Sequence, residues 1–184
     1  MSDLDLGGAK LLDPDNILNN ILKVGFKSQV ADLGCGTMGN FSLASARLVG
    51  SDGEVYAVDV LKDVLSAVEE RARTAKYSCL HTVWSNVEVY GATKIPGEMD
   101  FAYLVAVLYQ NKDHLSVLKE AARLLKVGGK LLIIEWVPKA TPIGPAVEKR
   151  LSPETVKGLA QQISLKFVQE FSAGPYHYGL IFQK

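Results

Sequence analysis

Residues 30–39 read Val30-Ala31-Asp32-Leu33-Gly34-Cys35-Gly36-Thr37-Met38-Gly39, an apolar run that ends in an acid and then breaks into a glycine-rich turn. Beyond it, short apolar stretches alternate with longer amphipathic ones. Such alternation predicts parallel strands joined by helical crossovers, with ligands held outside the carboxyl ends of the strands where the strand order reverses. The turn closes the first strand, so a ligand is expected there first.

In chain order, Gly7 and Gly8 loosen a lead-in spanning residues 1–24. Within it Asp13 and Pro14 open a short helix carrying Ile17, Leu18, Ile21 and Leu22, which is expected to end at Gly25. The first strand follows at residues 28–33. Residues 41–49 read as a crossover helix stopped by Gly50, and 55–59 as a second strand with Asp59 at its carboxyl end. Val64, Leu65 and Val68 share one side of a helix over 61–76, and a third strand follows at 79–84. Residues 85–99 contain Gly91, Pro96 and Gly97 and read as a ligand-facing loop with a short irregular or helical excursion. A fourth strand at 100–105 leads to a helix over 113–126, which Gly128-Gly129 stops before a fifth strand at 130–136. Pro138, Pro142, Gly144 and Pro145 mark an exposed loop near the expected mouth. Ser152-Pro153 starts the last helix. The stretches 166–171 and 176–182 are strands whose connection is too short for a crossover, so they pair antiparallel. The expected fold is one α/β, Rossmann-like domain over residues 1–184, with a mostly parallel sheet, an antiparallel C-terminal strand and helices on both faces.

Composition narrows the function classes. The 20 basic and 20 acidic residues cancel and no run of like charge interrupts them, which predicts no broad surface for nucleic acid or anionic membrane. No apolar stretch reaches the roughly 18 residues of a membrane span. Cys35 and Cys79 do not form a metal-ligand pair, and without a secretory lead they fit free thiols in a reducing, cytoplasmic setting. The three histidines lack a compact carboxylate pattern, which argues against a metal site. Oligomeric state is not legible.

The turn satisfies two cofactor patterns. Gly34, Gly36 and Gly39 match a dinucleotide fingerprint, and Asp59 lies 20 residues past Gly39, where a ribose-binding acid belongs. Asp32 argues against NAD, because a carboxylate beside a pyrophosphate repels it and instead suits a cationic amino-acid group. Asp32, Gly34, Gly36 and Asp59 together fit S-adenosylmethionine better.

These residues resemble the class I S-adenosylmethionine-dependent methyltransferases, particularly the small quinone-biosynthesis-like and generic small-molecule branches. Residues 30–37 look like their first motif, Val55 to Asp59 like the second, and residues 124–131 like the segment before the fifth strand. The resemblance implies seven strands with the last antiparallel and inserted. It also implies a cofactor site made by Asp32, Gly34, Cys35, Gly36, Asp59, Val60, Ser85 and Asn86, with Val60 or Leu61 near adenine. Two positions depart from the pattern: Met38 stands where the third turn glycine usually falls, with Gly39 one place later, and Ser85-Asn86 replaces the usual acid after the third strand.

The acceptor side is less marked. Tyr109, Asn111 and His114 follow the fourth strand, and Tyr109 and His114 are the candidate catalytic residues. Glu135 and Trp136 end the fifth strand, and His177 and Tyr178 point to opposite faces of the last. With little sequence outside the cofactor domain, a small-molecule acceptor is expected first. The alternatives are a protein or RNA acceptor, a non-catalytic binding domain and an NAD-dependent oxidoreductase.

Overall fold

The computed structural model describes residues 11–184, so the Gly7-Gly8 lead lies outside the described residues. Seven strands, β1 (Gln29–Leu33), β2 (Glu54–Asp59), β3 (Leu80–Trp84), β4 (Met99–Val105), β5 (Leu125–Trp136), β6 (Lys166–Gly174) and β7 (His177–Gln183), form one sheet in the order β3-β2-β1-β4-β5-β7-β6. Only β7 is reversed, pairing antiparallel with both β5 and β6. The order reverses between β1 and β4, which pair in parallel from Val30↔Phe101 to Asp32↔Tyr103.

The helices divide between the two faces. The lead-in helix α1 begins as Pro14–Asn16, with Asp13 accepting from Asn16 N–H, and continues as a π-helical turn over Ile17–Leu22. With α2 (Asn40–Val49) and α3 (Lys62–Thr74) it covers one face, burying Ile17, Leu18, Phe41, Val49 and Val68 against Val30, Tyr103 and Ile134. The other face is covered by α4 (His114–Leu124) and α5 (Pro153–Gln162), through Val117, Leu118, Ala121, Val156 and Ala160 against Leu33, Leu104 and Ile133. Truncating one fully buried leucine such as Leu104 costs about 2–5 kcal/mol, because the close-packed surroundings cannot collapse into the void. No helix among the described residues is long and apolar enough to cross a membrane.

Several expected boundaries move: α3 ends at Thr74 rather than 76 and β6 runs on to Gly174 rather than 171. The lead-in helix stops at Leu22 rather than Gly25, because Lys23 takes the left-handed conformation (φ 64°) and its N–H bonds Leu18 O. The helix expected to run to 126 stops at Leu124, since Leu125 pairs with Met99 as the first residue of β5. Between Met99↔Leu125 and Phe101↔Lys130 β5 advances five residues against two of β4. Gly128-Gly129 therefore sits in a bulge inside the strand, where Gly128 N–H bonds Lys184 O and Gly129 O accepts from Lys184 N–H. The 85–99 segment holds turns and no helix up to the start of β4.

Candidate functional site

A cleft of about 390 Å³ opens at the carboxyl ends of β1, β2 and β3 and against the turn after β4. Gly34, Gly36 and Thr37 form its floor, Asp59, Val60, Leu61 and Val64 one wall, and Ser85, Asn86 and Val87 another. Val107, Gln110 and Asn111 close it. Its size lies within the range of small-molecule and cofactor pockets, and its place is the switch point of the sheet.

The glycine turn meets the cleft with bare backbone. Gly34 has φ +80°, and a Cβ there would lie 2.6 Å from Val107 Cγ2, so the first glycine lets the turn close on the segment after β4. Gly36 (φ +66°) has open space where a side chain would stand, so the cleft stays unfilled there, while its own N–H bonds Asp59 Oδ2 and its carbonyl accepts from Gly39 N–H. Gly39 (φ +56°) caps α2, and a Cβ there would come within 2.9 Å of Val68 on α3. The close helix packing given to a third glycine is thus supplied one position late, while Met38 is left half exposed at 49%. Arg71 ties the rebuilt turn down by bonding Thr37 O, with Met38 Sδ 3.6 Å away.

Asp59 is fixed by the turn it serves. Its Oδ2 accepts from Gly36 N–H at 3.3 Å and its Oδ1 from Leu61 N–H at 3.0 Å. Each oxygen retains a lone pair for a ligand hydroxyl. Beside it Val60 and Leu61 are 54% and 60% exposed, an apolar ledge held by Trp84, whose Nε1 donates to Val60 O at 2.9 Å. Asn86 Oδ1 accepts from Glu88 N–H at 2.9 Å, so its unbonded amide hydrogens are the part free to meet a ring nitrogen. Ser85 is buried, with Oγ 3.1 Å from Thr93 Oγ1.

Asp32 and Cys35 lie outside the cleft lining. Asp32 is buried beneath the turn, where Oδ2 accepts from Ser42 Oγ at 2.5 Å. Burial, with a smaller contribution from the Asp59 charge, pushes its carboxyl up to about 6 against the pull of the Ser42 bonds. Cys35 is half-buried against the α2 side of the core, and burial together with Asp32 and Asp59 drives its thiol far up, which keeps it protonated.

Neither candidate catalytic residue lines this cleft. Tyr109 sits in the 3-10 turn Leu108–Gln110, half-buried against the core, with its phenol raised by burial and by Glu135. His114 is the first residue of α4, after the Asp113 cap. The turn instead presents Val107, Gln110 and Asn111, a set that sequence reading had named only through Asn111. Gln110 Nε2 and Asn111 Nδ2 donate back to Ala106 O and Val107 O, leaving their amide oxygens available. Alternating side-chain direction, the main signal in a strand, does not extend into such a turn.

Two buried carboxylates shape the surroundings. Glu120 of α4 accepts from Gly91 N–H at 2.7 Å and Thr93 N–H at 2.8 Å and pairs with Arg123, fastening the 85–98 loop to α4. Although burial opposes ionisation, these bonds hold its carboxyl down at about 2. Glu135 at the end of β5 accepts from Leu108 N–H at 2.7 Å and is raised to about 7 by burial.

The chain folds like solved methyltransferases. It superposes on an S-adenosylmethionine-dependent methyltransferase from Aquifex aeolicus with a TM-score of 0.84 at 23% identity, covering 97% of this chain and 93% of that one. An O-methyltransferase of neocarzinostatin biosynthesis, crystallised with S-adenosylhomocysteine and 1,4-dihydroxy-2-naphthoic acid, matches with a TM-score of 0.69 at 21% identity over 85% of this chain and 49% of that one. A demethylmenaquinone methyltransferase of Bacillus licheniformis is 33% identical over 107 residues, 56% of this chain and 43% of that protein, so the chain matches less than half of that relative's length. The ubiE/COQ5 methyltransferase family model matches residues 15–149. The chain belongs to that family.

Proposed function

We propose that the chain binds S-adenosylmethionine in the cleft and transfers its methyl group to a small aromatic acceptor of the hydroquinone or naphthol type. The observation that carries this is the space left free of a side chain at Gly36, beside Asp59 and the exposed Val60-Leu61 ledge, in a single cleft. These features match a polar amino-acid end, a ribose diol and a flat adenine ring respectively. The residues fit the cofactor: Asp59 has lone pairs for the ribose hydroxyls, the ledge and Val87 take the ring, and Gly34 and Gly36 leave room for the chain.

When bound, the cofactor supplies an electrophilic methyl on a sulfonium, so the protein's task is to hold a nucleophilic atom in line with it. Asp32, beneath the turn, contributes a field that favours the cofactor's ammonium without touching the open cleft. The turn after β4, anchored by Glu135 to Leu108 N–H, walls off the side toward the acceptor. A naphthol-type acceptor is supported by the names of the relative from Bacillus licheniformis and of the neocarzinostatin enzyme. Calorimetric titration with S-adenosylhomocysteine and with NAD tests the cofactor, the first being expected to bind in the micromolar range. NAD binding without S-adenosylhomocysteine binding overturns the proposal. Transfer of a labelled methyl group to 1,4-dihydroxy-2-naphthoate then tests the acceptor.

A further inference from the structure

Among the described residues three buried side-chain atoms have no hydrogen-bond partner: Glu135 Oε2, Trp136 Nε1 and His177 Nδ1. All three belong to the adjoining ends of β5 and β7, where Glu135 pairs with Tyr178 and Trp136 with His177. A buried polar atom left unbonded costs about 1–3 kcal/mol, and native proteins leave few. Their concentration at the carboxyl end of a central strand marks a place where stability has been given up. Strand alternation separates them into two groups. Glu135 faces the α4 and α5 side, whereas Trp136 and His177 share the α1 side with Ile134 and Ile181.

Trp136 and His177 are firmly held. Their rings lie 4.1 Å apart at 45°. The strap after β5 rests on the indole at Gly144, where a Cβ would fall 2.6 Å from Trp136 Cζ3, and so only glycine fits. Arg150 organises that strap, donating to Pro145 O, Lys139 O and Val137 O, with its guanidinium 5.5 Å from the indole centroid. All its acceptors are carbonyls and, among the described residues, no carboxylate pairs with it, so its positive charge stays uncompensated beside the two rings. Only β4 separates β5 from the glycine turn of β1. At one strand spacing each, that places Trp136 about 10 Å and His177, one strand further on β7, about 14 Å along the sheet from the glycine turn.

We propose that Trp136 and His177, under the Arg150 strap, form the acceptor's oxygen-binding subsite and select a ring bearing an ionised oxygen, a naphtholate or ring carboxylate, over its neutral ether. This rests on the proposed methyltransferase reading and assigns its acceptor side. Trp136 Nε1–H is a donor clamped in place before the ligand arrives. His177, kept neutral by burial and by the Arg150 charge, offers a second N–H in the matching tautomer. The Arg150 field favours the charged form of the ligand, and the strap must lift for the ligand to enter. Because the donors are unsatisfied in the free protein, removing one relieves a cost as well as weakening binding.

The test is calorimetry on the full chain saturated with S-adenosylhomocysteine, titrated with 1,4-dihydroxy-2-naphthoate and with the neutral control 1,4-dimethoxynaphthalene. Trp136→Phe and His177→Phe keep a ring and delete the polar atom. Each is expected to weaken the naphthoate about tenfold, the equivalent of one hydrogen bond to a charged group. The dimethoxy control and S-adenosylhomocysteine should change less than twofold, which shows that each variant is folded with its cofactor site intact. Unchanged naphthoate affinity in both variants, or equal losses for the control and the cofactor product, overturns the subsite and leaves the methyltransferase reading standing. A parent chain that binds S-adenosylhomocysteine but no naphthoate overturns the acceptor class and the subsite with it.

Discussion

Asp59 and Asn86 face the same cleft but differ in what they can offer a ligand. Asp59 brings a carboxylate already oriented by Gly36 and Leu61 N–H, whereas Asn86 brings a neutral amide with one oxygen lone pair taken by Glu88. Hydrogen bonds to a charged group are worth about 1.5–3 kcal/mol and neutral ones roughly half of that. Asp59→Ala is therefore expected to weaken S-adenosylhomocysteine by about 10- to 100-fold, and Asn86→Ala by less than tenfold. Equal losses in matched, folded variants would rule this ordering out. Both residues were legible in the sequence, Asp59 from its distance past the turn and Asn86 from its place after the third strand. What the sequence withheld is the burial of Asp32. An acid two residues before Gly34 reads as a ligand-facing charge, and only the packing of α2 over β1 shows that Ser42 holds it beneath the turn.

At the level of elements, the loop over residues 85–98, whose Ser85, Asn86 and Val87 line the cleft, has no helix or strand of its own and depends on α4. Glu120 satisfies Gly91 and Thr93 N–H and pairs with Arg123, which also donates to Thr93 O at 2.8 Å. Glu120→Ala leaves two backbone donors and a partly buried guanidinium unpaired, so it is expected to destabilise the chain by about 3–5 kcal/mol in urea unfolding. Hydrogen exchange should speed up first at residues 87–95. Exchange confined to α4 would show that the loop stands without this clasp. The loop's dependence could not be read from sequence, because Glu120 and Thr93 are 27 residues apart and a glutamate on an amphipathic helix ordinarily faces water. The strands were legible because apolar runs bounded by glycine or acid have few other uses. The start of β5 was not, because Leu118, Ala122 and Leu125 keep helical spacing and only the Met99 pairing pulls Leu125 into the sheet.

Across the whole molecule, the two ends of the sheet differ in kind. The carboxyl end gathers the cleft, the three unpartnered atoms, the left-handed Ala106 (φ 55°) and the two raised carboxyls Asp32 and Glu135. The sign of the resulting pH dependence follows from the direction of each shift. A carboxyl whose folded value is raised stabilises the fold fully below its unfolded value and loses that contribution as pH rises through the folded one. For Asp32 this window runs from 3.8 to about 6, and for Glu135 from 4.5 to about 7. His177, lowered from 6.5 to about 4, acts in the opposite sense, its contribution being full above the unfolded value and lost as pH falls. Two falling contributions outweigh one rising one, so the ligand-free chain is expected to lose about 2–3 kcal/mol of stability between pH 4.5 and 7 and then to level off. Urea unfolding at pH 4.5, 5.5, 7 and 8 measures it, with Asp32→Asn plus Glu135→Gln expected to reverse the slope by leaving His177 unopposed. Stability that climbs steadily to pH 7 in the parent would mean that both carboxyls ionise as they do in water and that this end of the sheet carries no such cost.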